Sequence, residues 1–219
     1  MYEERILLAS ASPRRRELIH QIDPEARLLS GDGDEYLPEG ISPEKAVVML
    51  AEKKALCSAS LLKSAERKGT IVIGCDTIVA LDGVIYGKPE DEADAARMLA
   101  KLSGRTHQVY TGVCLLSADN QRRSFVERTD VTFRKLEPEE IISYVQTGEP
   151  LDKAGAYGIQ GAGWSLVDSF DGDYQNVVGL PVDRLRRELY AFEAERRPKR
   201  RPCRQNPVQP GRRTTPAPI

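Results

Sequence analysis

Residues 5–18 of the chain read RILLASASPRRREL, and this stretch decides the fold. Its apolar beginning, Arg5 to Ala9, predicts a strand. Pro13 fits the first position of a helix, where its missing N–H costs nothing, and Ser12 fits the N-cap before it. A strand that leads directly into a helix favours an α/β fold.

The start of this helix also predicts a site for an anion. Free backbone N–H groups and the positive end of the helix dipole attract negative charge. Arg14 and Arg15 add two guanidinium groups, so the site suits a ligand with several phosphates. A solvated basic first turn is the alternative, and this stretch alone does not decide between the two.

Strands and helices alternate beyond this unit. Further helices are predicted over residues 44–65, 91–102, 138–146 and 181–192. Further strands are predicted over residues 70–74, 78–81, 84–86, 106–116, 124–134 and 164–167. Residues 152–163 are predicted to form a glycine-rich loop, and Asp82-Gly83 predicts a hairpin turn. The fold class is therefore α/β with a mixed sheet that is antiparallel in its middle third.

The charge of the chain is unevenly distributed. It carries 32 Lys and Arg against 33 Asp and Glu, a net charge of −1. Eight of the basic residues and no acid lie from Arg196 onward, which leaves −9 on residues 1–195. We therefore predict one domain over residues 1–195 and a disordered Pro/Arg-rich tail over residues 196–219. Such a tail suits nucleic acid or an anionic membrane, but a solvated extension is the simpler interpretation.

Other features of the composition point to the cytoplasm. The longest apolar runs are too short to span a membrane, and the N-terminus has no signal-peptide pattern. The four cysteines lie far apart without a CxxC, and the two histidines complete no zinc pattern. Free thiols in a reducing compartment are expected.

Asp76 is the main candidate for a catalytic residue. It lies where the strand over residues 70–74 is predicted to end, and a carboxylate at such a place is common in clefts. It would serve as a general base for water, as a metal ligand or as both. An Asx turn that caps the strand end is the structural alternative.

A second acidic cluster contains Asp32, Asp34 and Glu35. Its Asp-x-Asp spacing is like part of a calcium loop, but no Glu follows at the twelfth position, so calcium is discounted. Either Asp34 or Glu35 is a candidate to share a magnesium ion with substrate phosphates. A solvated loop is the alternative.

Three further side chains have the chemistry of a nucleotide site. Lys54, on the second predicted helix, and Lys88, in a rigid loop, are point charges suited to phosphate. Gln160 presents both a donor and an acceptor, as a pyrimidine edge requires. Taken alone, each is equally a solvated surface residue. The P-loop and the dinucleotide-binding GxGxxG are both missing from the sequence.

Taken in order, these stretches resemble the motifs of the Maf family of nucleoside triphosphate pyrophosphatases over about residues 5–193. The motifs are Ser10-x-Ser12-Pro13-Arg14-Arg15, Lys54-Ala55, Gly74-x-Asp76-Thr77-Ile78-Val79, Gly87-Lys88-Pro89, and the runs over residues 103–111, 152–161 and 178–181. The resemblance implies two lobes around a bent mixed sheet with a central cleft, similar to the inosine triphosphate pyrophosphatases. Cys75 departs from the alanine usual in the family.

The resemblance also implies an activity and residue roles. The enzyme would hydrolyse dTTP and UTP to the monophosphate and pyrophosphate with Mg²⁺ or Mn²⁺, as a house-cleaning enzyme of the nucleotide pool. Asp76 would be the proton acceptor, and Glu35 with Asp76 would hold the metal. The specificity positions would be Arg14, Thr77 and Gln160, and the further substrate-binding residues would be Ser10, Arg15, Lys54 and Lys88.

Two other functions compete with this interpretation. One is a nucleotide-binding regulator of cell division or septum formation with little turnover, which would not need Asp76. The other is nucleic-acid binding through the arginine tail, but the chain has only 6% aromatic residues. We therefore expect a nucleoside triphosphate as the partner, neither nucleic acid nor membrane for the body, and a homodimer as the common default.

Overall fold

Seven strands form one mixed sheet in the computed structural model, which describes residues 4–31 and 36–196. The strands are β1 Arg5–Ala9, β2 Arg27–Leu28, β3 Thr70–Leu81, β4 Val84–Tyr86, β5 Thr106–Leu116, β6 Arg122–Phe133 and β7 Val167–Asp171. Their order is β2-β1-β3-β5-β6-β7, and β4 also pairs with β3. β1 is parallel to β2 and β3, whereas the pairs from β3 to β7 are antiparallel. The predicted α/β class with a mixed sheet is confirmed.

Helices lie between these strands. They are α1 Pro13–His20, α2 Pro43–Ser60, α3 Ser64–Arg67, α4 Glu92–Leu102, α5 Pro138–Val145, α6 Tyr174–Val178 and α7 Val182–Arg196. Ser12 caps α1 as predicted, since its Oγ accepts a hydrogen bond from the Arg15 backbone N–H at 3.4 Å. The helix predicted over residues 44–65 is divided into α2 and α3, because residues 61–63 break it. The strand predicted over residues 164–167 is wrong: residues 161–166 form a 3₁₀ turn, and β7 follows it.

The two faces of the sheet are covered differently. Helix α2 packs along one face, against both halves of β3. The other face carries two separate apolar clusters, which form the cores of two lobes. One includes Ile73 and Leu185, and the other includes Val79 and Leu99. The sheet is shared by the lobes, and the space between the clusters lies near the middle of β3.

Strand β3 runs unbroken through the predicted break at residues 75–77. Its residues from Val72 to Ala80 pair with β5, so hydrogen bonds keep this stretch extended although small and polar side chains interrupt the apolar run. Asp76 therefore lies inside a strand, and the predicted strand end there is wrong. The alternative, an Asx turn that caps a strand end at Asp76, is therefore also wrong.

The opposite edge of β3 has an opening at the same place. β1 pairs with β3 only as far as Gly74, and β4 pairs with it only from Val79 onward. Neither neighbour covers residues 75–78 on that edge. This opening brings Asp76 to a cleft without ending the strand.

Two glycines allow α2 to lie against the sheet at this level. A Cβ at Gly74 would collide with the backbone oxygen of Ala51 and lie 2.7 Å from the nitrogen of Ala55. A Cβ at Gly112, on β5, would collide with the Val47 backbone. This close approach fixes where along β3 and β5 the side chains of α2 contact the sheet.

Helix α7 extends to Arg196, at the predicted start of the tail. Its guanidinium donates to Glu4 Oε2 at 2.8 Å and lies 3.3 Å from Asp119 Oδ1, with only 15% of the side chain exposed. Arg196 therefore belongs to the packed body. The rest of the predicted tail, residues 197–219, lies outside the described residues. Across the described ranges, the helices are too short or too polar to cross a bilayer.

Truncation after Arg196 should leave the melting temperature unchanged, whereas truncation after Glu195 should lower it. The second truncation removes the ion pairs to Glu4 and Asp119, worth about 1 kcal/mol together. For a chain of this size that corresponds to roughly 2–4 °C. Thermal denaturation of both truncated proteins and the full chain measures the difference. A marked loss after Arg196 as well would show that residues 197–219 contribute to stability.

Candidate functional site

A cleft of about 930 Å³ opens at the uncovered edge of β3. Its lining includes eight side chains selected from the sequence: Ser10, Arg14, Arg15, Lys54, Asp76, Thr77, Lys88 and Gln160. These residues come from five separate stretches of the chain, and the fold brings them to one place. Glu35 and its alternative Asp34 lie outside the described residues, so their position in the site stays a prediction.

Lys54 and Asp76 form an ion pair at the floor of the cleft. The Lys54 ammonium donates a hydrogen bond to Asp76 Oδ1, and the side chains are 22% and 12% exposed. Strand alternation points Asp76 toward α2, which carries Lys54, because Asp76 follows Gly74 by two residues on the same face. The pair thus depends on the close approach of α2 at that glycine.

Thr77 points to the other face and meets Arg15. The guanidinium of Arg15 donates through Nη2 to Thr77 Oγ1 at 2.8 Å and through Nε to the Gly179 carbonyl at 2.8 Å. The Thr77 hydroxyl is also 2.9 Å from that of Thr111 on β5. Arg15 therefore holds β3 to the loop that follows α6, in addition to lining the cleft.

Arg14 pairs with Asp152 in the lining of the cleft, a contact that no sequence pattern predicts. Arg14 Nη1 is 3.8 Å from Asp152 Oδ2, and Lys153 Nζ donates to Asp152 Oδ1 at 2.7 Å. Burial works against the charged carboxylate, but the Lys153 hydrogen bond and the charges of Lys153 and Arg14 outweigh it and lower the pKa of Asp152. Asp152 thus stays ionised beside both cations. No local signal marks such a pair, because its members are far apart in the sequence.

The segment before Gln160 is held at several buried points. The Gly155 N–H donates to the Gly87 carbonyl at 2.9 Å, which ties this segment to the loop that carries Lys88. Gly155 has a φ of +69°, and a Cβ there would lie 2.8 Å from Val79. Tyr157, also buried, bonds through its hydroxyl to His107 at 2.8 Å. Gln160 itself is exposed at the cleft, beyond these anchors.

His107 supports this segment as a neutral ring. Its side chain is completely buried, and burial lowers the pKa to about 4 despite the charge of Asp130. Its ring also contacts Phe133 and Tyr157 edge to face. At neutral pH His107 therefore acts as an uncharged hydrogen-bond partner of Tyr157, with no sign of a catalytic role.

The charges in the cleft favour an anionic ligand. Among the described lining residues, the cations are Arg14, Arg15, Lys54, Lys88 and Lys153, and the carboxylates are Asp76, Glu149 and Asp152. One cation is neutralised by Asp76 and others are shared with Asp152. The cleft is locally basic on a body that is acidic overall, as a polyphosphate ligand requires.

The donor set for a metal is small in this cleft. Within residues 4–31 and 36–196 there is no group of three His, Cys, Asp or Glu side chains that could hold a metal ion. Mg²⁺, however, commonly uses only one or two carboxylates together with substrate phosphates and water. The hard carboxylate of Asp76 fits such an ion, and the thiol of Cys75 beside it points instead to the Gly179 carbonyl at 3.2 Å.

Comparison with known proteins shows a family match over nearly the whole described body. The profile of the family described as Maf-like protein matches residues 5–192. A dTTP/UTP pyrophosphatase of Bacillus velezensis is 46% identical over 189 residues, which cover 86% of this chain and 97% of the relative. The dTTP/UTP pyrophosphatase of Desulfitobacterium hafniense is 46% identical over 185 residues, 84% of this chain and 83% of the relative.

Solved structures give more distant matches. The Ham1 protein of Staphylococcus aureus is 17% identical, with a TM-score of 0.48 over 88% of this chain and all of that one. A dITP/XTP pyrophosphatase of Mycobacterium abscessus is also 17% identical, with a TM-score of 0.42 over 87% of this chain and 98% of the other. Likenesses of this size do not bear on the chemistry of the cleft.

Proposed function

Because the chain belongs to the Maf-like protein family, we propose that it is a nucleoside triphosphate pyrophosphatase that hydrolyses dTTP and UTP. The products are the nucleoside monophosphate and pyrophosphate, and the role is to remove nucleotides from the pool. One observation carries this proposal: eight residues selected for nucleotide chemistry line one basic cleft, with an aspartate paired to a lysine at its floor. The names of relatives at 46% identity support the same substrates.

Asp76 is the proposed general base. Asp76 lies beside the opening in the edge of β3 and lines the cleft, and one of its carboxylate oxygens is held by Lys54. A carboxylate fixed in this way is oriented to accept a proton from a water molecule that attacks the α phosphorus. The proton goes to Asp76, and the electron pair of the broken P–O bond leaves with pyrophosphate.

We propose that the cations of the cleft bind the triphosphate and stabilise the negative charge that develops on it during hydrolysis. A nucleoside triphosphate carries several negative charges, which must be neutralised before water attacks. Arg14 and Lys88 both line the cleft, and they come from α1 and from the loop after β4. Ser10 shapes the loop before α1, since its Oγ accepts the Ser12 backbone N–H at 3.2 Å.

A divalent cation, Mg²⁺ or Mn²⁺, is the proposed cofactor. Asp76 would hold it, with Glu35 as the second carboxylate. When bound, such an ion polarises phosphoryl oxygens and neutralises their charge. Among the described lining residues, Asp76 is the one proposed metal ligand, and a single carboxylate binds Mg²⁺ only weakly. The phosphates of the substrate supply further oxygen ligands, so the affinity for the ion should rise when the triphosphate is present.

The position of the cleaved bond tests the proposed reaction. Hydrolysis of dTTP in isotopically labelled water should place the label in dTMP and leave pyrophosphate unlabelled, because water attacks the α phosphorus. Mass spectrometry of both products measures this. Orthophosphate and a nucleoside diphosphate as the first products would mean an ordinary phosphatase, and tight binding of dTTP without any product would favour the nucleotide-binding regulator instead.

Base selection is expected to depend on Gln160. Its amide can donate and accept at once, as N3 and O4 of uracil and thymine require, whereas cytosine reverses both. Each lost pairing costs on the order of 1–3 kcal/mol, so dTTP and UTP should be preferred to CTP by at least about tenfold. Gln160→Ala should reduce this preference, mainly by lowering kcat/KM for dTTP and UTP.

Gln146 provides a matched control for this substitution. It is an exposed glutamine directly after α5 and is not part of the cleft lining. Gln146→Ala should keep the preference of the unmodified enzyme. If Gln160→Ala lowers kcat/KM equally for dTTP, UTP and CTP, Gln160 does not take part in recognising the base.

The proposed location is the cytoplasm. Cys75 and Cys114 are free thiols, and burial raises the pKa of both, so these two thiols are poorly reactive. Free thiols favour a reducing compartment, where the nucleotide pool also lies. A homodimer without nucleic-acid binding stays an expectation from the sequence, to be checked by sedimentation of the full chain.

A further inference from the structure

A buried chain of hydrogen bonds connects Arg15 in the cleft to the backbone of α6. Arg15 Nη2 is 2.8 Å from Thr77 Oγ1, Thr77 Oγ1 is 2.9 Å from Thr111 Oγ1, and Thr111 Oγ1 is 3.0 Å from the carbonyl oxygen of Asn176. Thr111 is fully buried, and Asn176 is also buried. The four groups lie on α1, β3, β5 and α6, so this series of hydrogen bonds links four elements behind the wall of the cleft.

The direction of this chain follows from counting protons. A carbonyl only accepts and a guanidinium only donates, so the two ends are fixed. The single hydroxyl proton of Thr111 is used on the Asn176 carbonyl, and therefore Thr77 must donate its own proton to Thr111. The direction is Arg15 to Thr77, Thr77 to Thr111, and Thr111 to Asn176.

This direction limits what Thr77 can do. Its only proton is committed to Thr111, and one of its lone pairs is taken by Arg15. The hydroxyl therefore has no proton left to donate to a nucleotide. A role of Thr77 in substrate selection must then pass through the guanidinium that it holds.

Arg15 is fixed to α6 and the residue that follows it at two points. Its Nε donates to the carbonyl of Gly179, just after this helix, and its Nη2 reaches Asn176 through the two threonines. Within the described ranges, Nη1 of Arg15 makes no hydrogen bond, and Arg15 lines the cleft. Two of its three nitrogens therefore serve as anchors, and Nη1 remains for an anion.

We propose that Thr111, which lines no part of the cleft, is a positioning residue for triphosphate binding: through Thr77 it fixes Arg15 so that one nitrogen meets the phosphates. This inference rests on the proposed function for the identity of the ligand. A guanidinium already fixed before binding loses little side-chain freedom when the anion arrives. The fixed position of Arg15 should therefore increase the affinity for the triphosphate more than the rate of the chemical step.

Thr111→Val tests the proposal, because valine keeps the shape of threonine and removes the hydroxyl. KM for dTTP should rise by about fivefold, as for the loss of a hydrogen bond between two neutral groups, while kcat changes little. Thr111→Ser, which keeps the hydroxyl, should restore most of the affinity.

Thr129→Val is the matched control. Thr129 is also fully buried, lies on the neighbouring strand β6 and bonds to the same short helix, through Asp173 O at 3.0 Å and Asn176 Nδ2 at 2.9 Å. The hydrogen bonds of the Thr129 hydroxyl within the described residues go to Asp173 and Asn176, and none goes to Arg15. Both valine variants should lose stability, but only Thr111→Val should raise KM. An equal rise in both would show a general loosening of α6 and overturn the proposal.

Calorimetric binding of inorganic tripolyphosphate to the full chain separates this proposal from the proposed function. It needs no turnover. Weaker binding in Thr111→Val than in Thr129→Val supports the positioning role even if dTTP is not hydrolysed, in which case only the proposed activity fails. Unchanged tripolyphosphate binding in Thr111→Val, or none in the unmodified chain, overturns the positioning role.

Discussion

Asp76→Asn is expected to lower kcat for dTTP by about 100-fold or more, since general base catalysis is commonly worth that much. Asparagine has nearly the same shape as aspartate but cannot accept the proton of the attacking water. It also removes the negative charge beside Lys54, so the ammonium at the floor of the cleft becomes available to the substrate. Because Asp76 is also a proposed metal ligand, KM is compared at saturating Mg²⁺, where it should change far less than kcat. Steady-state kinetics with pyrophosphate detection measure both constants.

Asp82→Asn is the control for this change. Asp82 lies in the turn directly after β3, and its exposed carboxylate pairs with Arg105 at 2.7 Å. Its φ of 53° is a backbone conformation that asparagine adopts readily. Asp82→Asn should keep kcat near that of the unmodified enzyme. A kcat for Asp76→Asn within a few-fold of this control would remove Asp76 from the mechanism.

Gly74→Ala should have the largest effect on stability. The new Cβ would collide with the backbone oxygen of Ala51 and lie 2.7 Å from the nitrogen of Ala55, and backbone atoms cannot turn aside as a side chain can. Overpacking of this kind costs about 3 kcal/mol, or roughly 10 °C in melting temperature. Helix α2 must retreat from the sheet, and Lys54 moves away from Asp76 with it. Activity should therefore fall even where the protein remains folded.

Gly87→Ala serves as the comparison for stability. A Cβ at Gly87 would meet no atom within 4 Å, and its φ is not in the left-handed region. Its melting temperature should match that of the unmodified chain. Equal melting temperatures for Gly74→Ala and Gly87→Ala would mean that α2 has room to move without cost.

The sequence predicts those parts of the site whose signals are local. Ser12 and Pro13 mark the beginning of α1 within two residues, and the cap is present. Lys88 is correctly placed in a loop by its neighbours Gly87 and Pro89. In these cases the side chain and the backbone that positions it are adjacent in the chain, so short-range rules are sufficient.

Asp76 shows where such rules fail. The sequence predicts correctly that it reaches a cleft but gives the wrong reason, a strand end. The actual reason is that β1 and β4 leave an interval on one edge of β3, and the extent of each pairing depends on residues far along the chain. The pattern within residues 70–81 cannot contain that information.

The sequence pattern does not mark Thr111 or Asp152 as site residues, for a similar reason. A threonine within a strand is ordinary, because β-branched residues favour strands, and its role appears only when Asn176 folds back against it. Asp152 likewise acquires its partner Arg14 from the other end of the chain. Polar contacts between distant segments have no local periodicity from which to predict them.

The alternation of Asp76 and Thr77 across the sheet has a consequence for folding errors. If β3 slipped by one residue against β5, the carboxylate would face the threonine network and the hydroxyl would face Lys54. The same slip would remove Gly74 from beneath Ala51 and place a residue with a Cβ there, which α2 leaves no room to accept. The glycines therefore act as a steric check on strand register. The β3 register that lets α2 pack against the sheet is therefore also the register that brings Asp76 to Lys54 and Thr77 to Arg15.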